Sequence, residues 1–164
     1  MNFLLDTNAV SEWVKPSPNP GLIRWMESAD EDRVFLSVIS LAELRYGVDR
    51  MAAGARRSRL EQWLRDELPL RFEGRILAID ARVAEAWGRT VSRSEALGHP
   101  ISAMDAFLSA TTEIYRLALV TRNVSHFPLV KAVVNPWTYN GAVNILARNE
   151  PLDANPSGVT LCVV

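Results

Sequence analysis

Cysteine is all but missing from this chain: Cys162 is the only one in 164 residues. That excludes an intramolecular disulfide framework and any cysteine-built zinc cluster. The residue also sits one position short of a prenylation box. Lysine is nearly as scarce, with Lys15 and Lys131 the only two, so the basic side chains are almost all arginine. The two histidines, His99 and His126, fall in loop contexts and read as solvated surface residues. No HExxH spacing exists, so nothing points to a zinc hydrolase. Neither GxGxxG nor GxxxxGK[ST] occurs, and dinucleotide and P-loop binding lose their usual signatures. No apolar run approaches the ~18 residues of a membrane-spanning helix, and the N-terminus lacks a basic segment leading into a sustained apolar stretch. A reducing, cytoplasmic setting without a membrane is the expectation. Net charge is −1, so no global basic field advertises nucleic-acid binding.

What is present suits one globular domain with a sizeable core. Apolar residues make up 48% and charged residues 23%, a balance that argues against disorder. Charge is unevenly spread: between Arg45 and Arg75, arginines outnumber acids eight to five. Arginine favours planar, bidentate contacts to phosphate or carboxylate, but here a solvated helix face accounts for the run. The five tryptophans read as core and docking surface rather than a base-stacking platform.

The periodicity alternates between short apolar runs and helical stretches. Asn2–Leu5 reads as a buried strand, followed by a helix over Thr7 to Val14 with Asp6, Thr7 and Asn8 as capping candidates. Residues 15–21 hold three prolines in five positions and predict a loop, after which Leu22–Ala29 resumes a helix. Arg33–Ser37 is a strand and Val38 to about Met51 a helix. Ala55 to Leu68 is a long amphipathic helix closed by Pro69. Arg75–Ile79 is a strand; Asp80 caps a helix to about Leu97, with Gly98 as its stop. Ser102 caps the next, to about Arg116. Leu117–Thr121 and Val130–Val134 complete the strands. Near-continuous apolar strands separated by helices indicate an α/β fold, with a mostly parallel sheet covered on both faces. Residues 1–137 carry this pattern. Residues 138–164 lose it and read as an irregular, loosely ordered C-terminal extension.

Three carboxylates interrupt the apolar runs: Asp6 after Phe3-Leu4-Leu5, Glu43 within residues 38–44, and Asp105 within residues 101–108. An ionised carboxylate in apolar surroundings costs several kcal/mol or more unless a partner satisfies it. In an open parallel sheet, ligands collect beyond the carboxyl ends of the strands. Asp6 ends the first strand, and Asn123 follows the strand 117–121 on the same edge. Glu43 and Asp105 lie one to two turns into helices beside that edge. The four are expected to converge, the acids closely enough to share one ion. Such hard oxygen ligands suit Mg²⁺ or Mn²⁺, a setting for phosphodiester hydrolysis. Each residue has a plainer use on its own. Asp6 can be an N-cap, Glu43 can pair with Arg45 or Arg50, Asp105 can complete a capping box with Ser102, and Asn123 can be a turn residue.

With their flanks, these residues resemble the PIN-domain ribonucleases, and among them the VapC-type toxins of bacterial toxin–antitoxin pairs. The matching stretches are Leu4-Leu5-Asp6-Thr7-Asn8, residues 37–47 (SVISLAELRYG), Ser102-Ala103-Met104-Asp105-Ala106, residues 121–127 (TRNVSHF) and Val134-Asn135-Pro136-Trp137. The closing NPW with the AELRYG block is most similar to the FitB-like subgroup, and the likeness spans about residues 1–137. It implies a three-layer α/β/α sandwich with Asp6, Glu43 and Asp105 as metal ligands. Asn123 falls at the family's fourth acidic position and joins the catalytic set. An amide there keeps an oxygen but removes a charge, so a second metal would bind more weakly. Thr121 resembles the family's hydroxyl residue that orients the acids.

The resemblance further implies a Mg²⁺- or Mn²⁺-dependent endoribonuclease cutting an RNA substrate to leave 5′-phosphate and 3′-hydroxyl ends. Its setting would be the bacterial cytoplasm, as a type II toxin restrained by an antitoxin with a DNA-binding domain, and as a homodimer or higher complex. Two other readings stand beside it. Aspartate-based phosphotransfer also places an Asp after a first strand but needs a lysine at a later strand end; Lys131 precedes the last strand and Lys15 lies in the proline loop. A catalytically degenerate module that binds RNA or a partner would keep the fold without cleavage, and Asn123 is the residue that favours it.

Overall fold

The computed structural model describes residues 1–141 and the strand segments 145–147 and 161–163. Strands β1 (Phe3–Leu5), β2 (Val34–Ser37), β3 (Ile76–Leu77), β4 (Ala118–Val120) and β5 (Ala132–Val134) form a parallel set in the order β3-β2-β1-β4-β5. Register follows the apolar pattern: Leu4 lies opposite Leu119, and Leu119 opposite Val133. Successive side chains point to opposite faces, and the core divides accordingly. Leu5, Val34, Leu36, Ala118, Val120 and Val134 pack on one face, and Leu4, Leu119 and Val133 on the other.

Helices α1 (Thr7–Trp13) and α2 (Pro20–Ser28) cover the first face through Ala9, Val10, Leu22 and Trp25. Helix α7 (Ala103–Tyr115) covers the second through Leu108, and packs through Ala110 on Val83 and Ala86 of α6 (Ala81–Ala96). Helix α3 (Val38–Asp49) follows β2 directly, with Ser37 Oγ accepting from the Ile39 amide as its cap. This is the expected three-layer α/β/α sandwich. The tryptophans are packing residues, as read from sequence: Trp25 is buried, Trp13, Trp63 and Trp137 lie against the same core, and Trp87 stacks on Phe107.

Three expectations need correction. The loop over residues 15–21 is shorter than read, because α2 starts at Pro20. Proline suits a first helical turn, where its missing N–H would be unbonded anyway, and Asn19 caps the turn by accepting from the Gly21 and Leu22 amides. The segment closed by Pro69 instead runs on. Helix α4 (Ala55–Gln62) widens into a π-type turn at Trp63–Glu67 and re-forms as α5 (Leu68–Arg71). The Leu68 amide reaches back to the Trp63 carbonyl, and the wider turn accommodates a residue that cannot donate. Finally, the segment after residue 137 is not wholly irregular. Strands β6 (Ile145–Ala147) and β7 (Leu161–Val163) extend the sheet antiparallel beyond β5; the rest of that extension past Gly141 lies outside the described residues.

Candidate active site

Strand order reverses between β1 and β4, since the chain builds outward through β2 and β3 on one side and β5 on the other. The crevice beyond the carboxyl ends of those two strands is where such a sheet binds ligands. Asp6 leaves β1 there, and Thr121 leaves β4 beside it. Helix α3 starts at the same edge because it follows β2. Helix α7 brings its first turn there because it precedes β4 and must run antiparallel to it. Topology alone thus delivers Asp6, Glu43 and Asp105 to one edge.

Asp6 is buried, at 6% exposure. It occupies the N-cap position of α1, yet its side chain makes no capping hydrogen bond to that helix. Its Oδ2 instead accepts from Thr121 Oγ1 at 2.6 Å and Asn8 Nδ2 at 2.5 Å. Thr121 Oγ1 in turn accepts from Asn8 Nδ2 and from the Asn123 amide, both at 3.0 Å, while Asn8 Oδ1 accepts from the Arg122 amide at 3.2 Å. The exits of β1 and β4 are thereby locked together around one carboxylate. Burial pushes the Asp6 carboxyl above the usual 3.8. The Thr121 hydroxyl and the Thr7 amide act against that rise, and the charges of Asp105 and Glu43 add to it. These last two effects place the three acids within electrostatic reach of one another.

Glu43 Oε2 accepts from Thr7 Oγ1 at 2.5 Å, tying α3 to the first residue of α1. The arginines that sequence offered as its partners are engaged elsewhere. Arg45 pairs with Asp49 at 2.8 Å, and Arg50 lies over the Tyr46 ring. Asp105 stands in the first turn of α7, where the helix dipole favours an anion. Ser102 Oγ accepts from the Asp105 amide at 3.1 Å, one half of a capping box, while the Asp105 carboxylate faces His126 Nδ1 at 3.7 Å. Asn123 is half-buried on the loop after β4, its amide on Thr121 and its carbonyl accepting from the His126 amide at 3.0 Å.

Among the described residues, no three acidic, histidine or cysteine side chains already stand in ligating geometry about one point. The acids share an edge and a field rather than a closed cage. Their chemistry fits a hard divalent cation all the same: carboxylates from three separate elements border one edge, and the ionisation of Asp6 there is disfavoured by burial and by like charge. A cation would relieve both.

The PIN domain family matches residues 3–130. The chain belongs to the PIN-domain family. Among curated relatives it is 37% identical to Toxin FitB of Neisseria gonorrhoeae over 136 residues, spanning 82% of this chain and 98% of that protein. It is 30% identical to the VapC ribonuclease Y4jK of Sinorhizobium fredii over the same length, covering 82% and 97%. A solved structure of FitAB bound to an IR36 DNA fragment superposes with a TM-score of 0.78 at 33% identity, covering 84% of this chain and 97% of that one.

For a PIN-domain protein, three contributors at the edge were undervalued in sequence. Thr7 and Asn8 looked like helix caps, but they hold Glu43 and Asp6. His126 read as a solvated residue; it is largely exposed, yet it faces Asp105. The Asp-x-Asn spacing straight after a buried strand was the available signal for Asn8. His126 had only its place in the TRNVSHF stretch, since its relation to Asp105 exists only once the loop after β4 folds over the start of α7.

Proposed function

We propose that this PIN-domain protein is a metal-dependent endoribonuclease acting as the toxin of a type II toxin–antitoxin pair. The observation that carries the reading is the buried Asp6 carboxylate, oriented by Thr121 and Asn8 at the strand-order reversal and electrostatically coupled to Glu43 and Asp105. Asp6, Glu43 and Asp105 would hold Mg²⁺ or Mn²⁺, with Asn123 at the rim of the site. When bound, that ion supplies charge neutralisation and Lewis acidity for hydrolysis of an RNA phosphodiester. The protein's own contribution is positional. Thr121 and Asn8 fix Asp6 through its Oδ2, Thr7 fixes the Glu43 carboxylate, and the helix α7 dipole steadies Asp105.

The FitAB structure bound to a DNA fragment and the VapC relatives support an antitoxin partner with a DNA-binding domain; a homodimer or higher complex and a cytoplasmic setting are parts of the same proposal. Among the described residues no helix is long and apolar enough to cross a membrane. The deciding assay is cleavage of RNA with Mg²⁺ or Mn²⁺, repeated in EDTA and with Asp6→Asn and Asp105→Asn. Cleavage should disappear in all three arms, leaving 5′-phosphate ends where it occurs. Cleavage that persists unchanged in the two variants removes the assignment.

A further inference from the structure

We propose that Arg122 is the residue that grips the backbone of single-stranded RNA next to the acids. This rests on the ribonuclease reading above and names the contact that would present a phosphodiester to that edge.

The placement comes from the topology. Along the carboxyl edge, β1 ends in Asp6, β4 in Thr121 and Arg122, and β5 in Asn135-Pro136-Trp137. Arg122 therefore stands one residue beyond the hydroxyl that orients Asp6, on the side of the crevice away from Glu43. Its backbone is fixed, because its amide donates to Asn8 Oδ1 at 3.2 Å. Its side chain is exposed, and the guanidinium lies 5.6 Å from the centre of the Trp137 ring. Trp137 is itself packed against the core. A planar cation held on a fixed aromatic surface loses less freedom on meeting a phosphate than one free in solvent.

The charge balance leaves this arginine available beside the acids. The arginine-rich stretch is largely self-neutralised: Arg45 pairs with Asp49, Arg57 with Glu61, Arg65 with Asp66 and Arg71 with Glu31. Arg122 forms no such pair among the described residues. The acid whose field it shares is Glu12, and that carboxylate is taken by Lys15 Nζ at 2.6 Å and by the Asn19 amide. One uncommitted, pre-positioned guanidinium thus borders an edge whose acids repel polyanions. A phosphate flanking the scissile bond needs that kind of counter-charge, and contacts of this class give affinity without reading base identity.

The test uses a fluorescein-labelled single-stranded RNA and the full chain. Anisotropy in EDTA, from 50 to 200 mM salt, gives Kd and its salt slope; cleavage with Mn²⁺ gives KM and kcat. Arg122→Ala should weaken binding about tenfold and reduce the salt slope by about 0.7. In turnover it should raise KM with kcat nearly held. Arg122→Lys should keep the slope and recover part of the affinity, while Arg93→Ala, on the distant α6, should match the wild type. Circular dichroism checks that each variant is folded. Wild-type cleavage with an unchanged Arg122→Ala Kd and KM overturns the proposal and leaves the nuclease standing. An unchanged RNA Kd with weakened binding of an acidic partner protein also overturns it, and reassigns Arg122 to that interface. Absence of wild-type cleavage sinks the nuclease reading, and this contact with it.

Discussion

At the scale of single residues, the site rests on one hydroxyl. Thr121 Oγ1 donates to Asp6 and accepts from both Asn8 and the Asn123 amide, so Thr121→Val removes a donor and an acceptor without changing shape. The folded state should lose about 1–3 kcal/mol in urea unfolding, because buried partners are left unpaired. RNA cleavage should fall about 10–100-fold, the range for lost support behind a metal ligand. Asp6 carries a pH signature of its own. Its folded-state carboxyl lies above 3.8, so the folded protein tolerates its neutral form better than its charged one. That relative benefit is complete below 3.8 and vanishes as pH rises through the raised folded value. Melted in EDTA, Asp6→Asn should therefore gain on the wild type as pH rises from about 3.8 through the raised folded value and level off on either side; a gap independent of pH would contradict the burial argument. The acids themselves were legible in sequence, because charge inside apolar runs is visible without coordinates. Their supports were not. Thr7 and Asn8 are ordinary cap residues until residues 36 and 113 positions away are brought beside them, and His126 is an ordinary loop residue until it meets Asp105.

At the scale of elements, most strands and helices follow from the apolar pattern, and the misreadings cluster at proline. Pro20 opens a helix and Pro69 is carried through one, for opposite reasons: the first needs no partner for its missing N–H, and the second relies on a π-type turn. The first outcome has a local cue in the Asn19 cap; the second has none and depends on what the helix packs against. Asn19, Leu22 and Trp25 hold α2 in place, while Leu68 and Phe72 bury α5 in the same core. The start of α2 also explains part of the NPW motif. A Cβ at Gly21 would stand 2.6 Å from the Pro136 carbonyl oxygen and 2.7 Å from that of Trp137, both backbone atoms with little room to shift. Gly21→Ala should cost about 1–3 kcal/mol, read as a lower urea midpoint with an unchanged slope. The antiparallel strands β6 and β7 had no sequence signal. They pair at the outer edge of β5 rather than within the core.

At the scale of the whole molecule, a parallel sheet with reversed strand order gathers charge at one edge, and ligand binding should act on the entire fold. A cation that binds only the folded chain adds about 2.7 kcal/mol at a hundredfold excess over its Kd. Mn²⁺ or Mg²⁺ should therefore raise the melting temperature of the wild type, with little effect on Asp6→Asn or Asp105→Asn. Equal shifts in all three proteins would place the ion elsewhere.

The central strand has a further consequence. β1 leaves the ribosome ahead of the other strands, but its partner β4 and the hydroxyl that orients Asp6 lie 115 residues later, and the carbonyls that seat Gly21 later still. A nascent chain carries Asp6 long before the hydroxyl that orients it. Asp6 can be oriented only once β4 has been made, so the arrangement at this edge is among the last parts of the fold to form during translation.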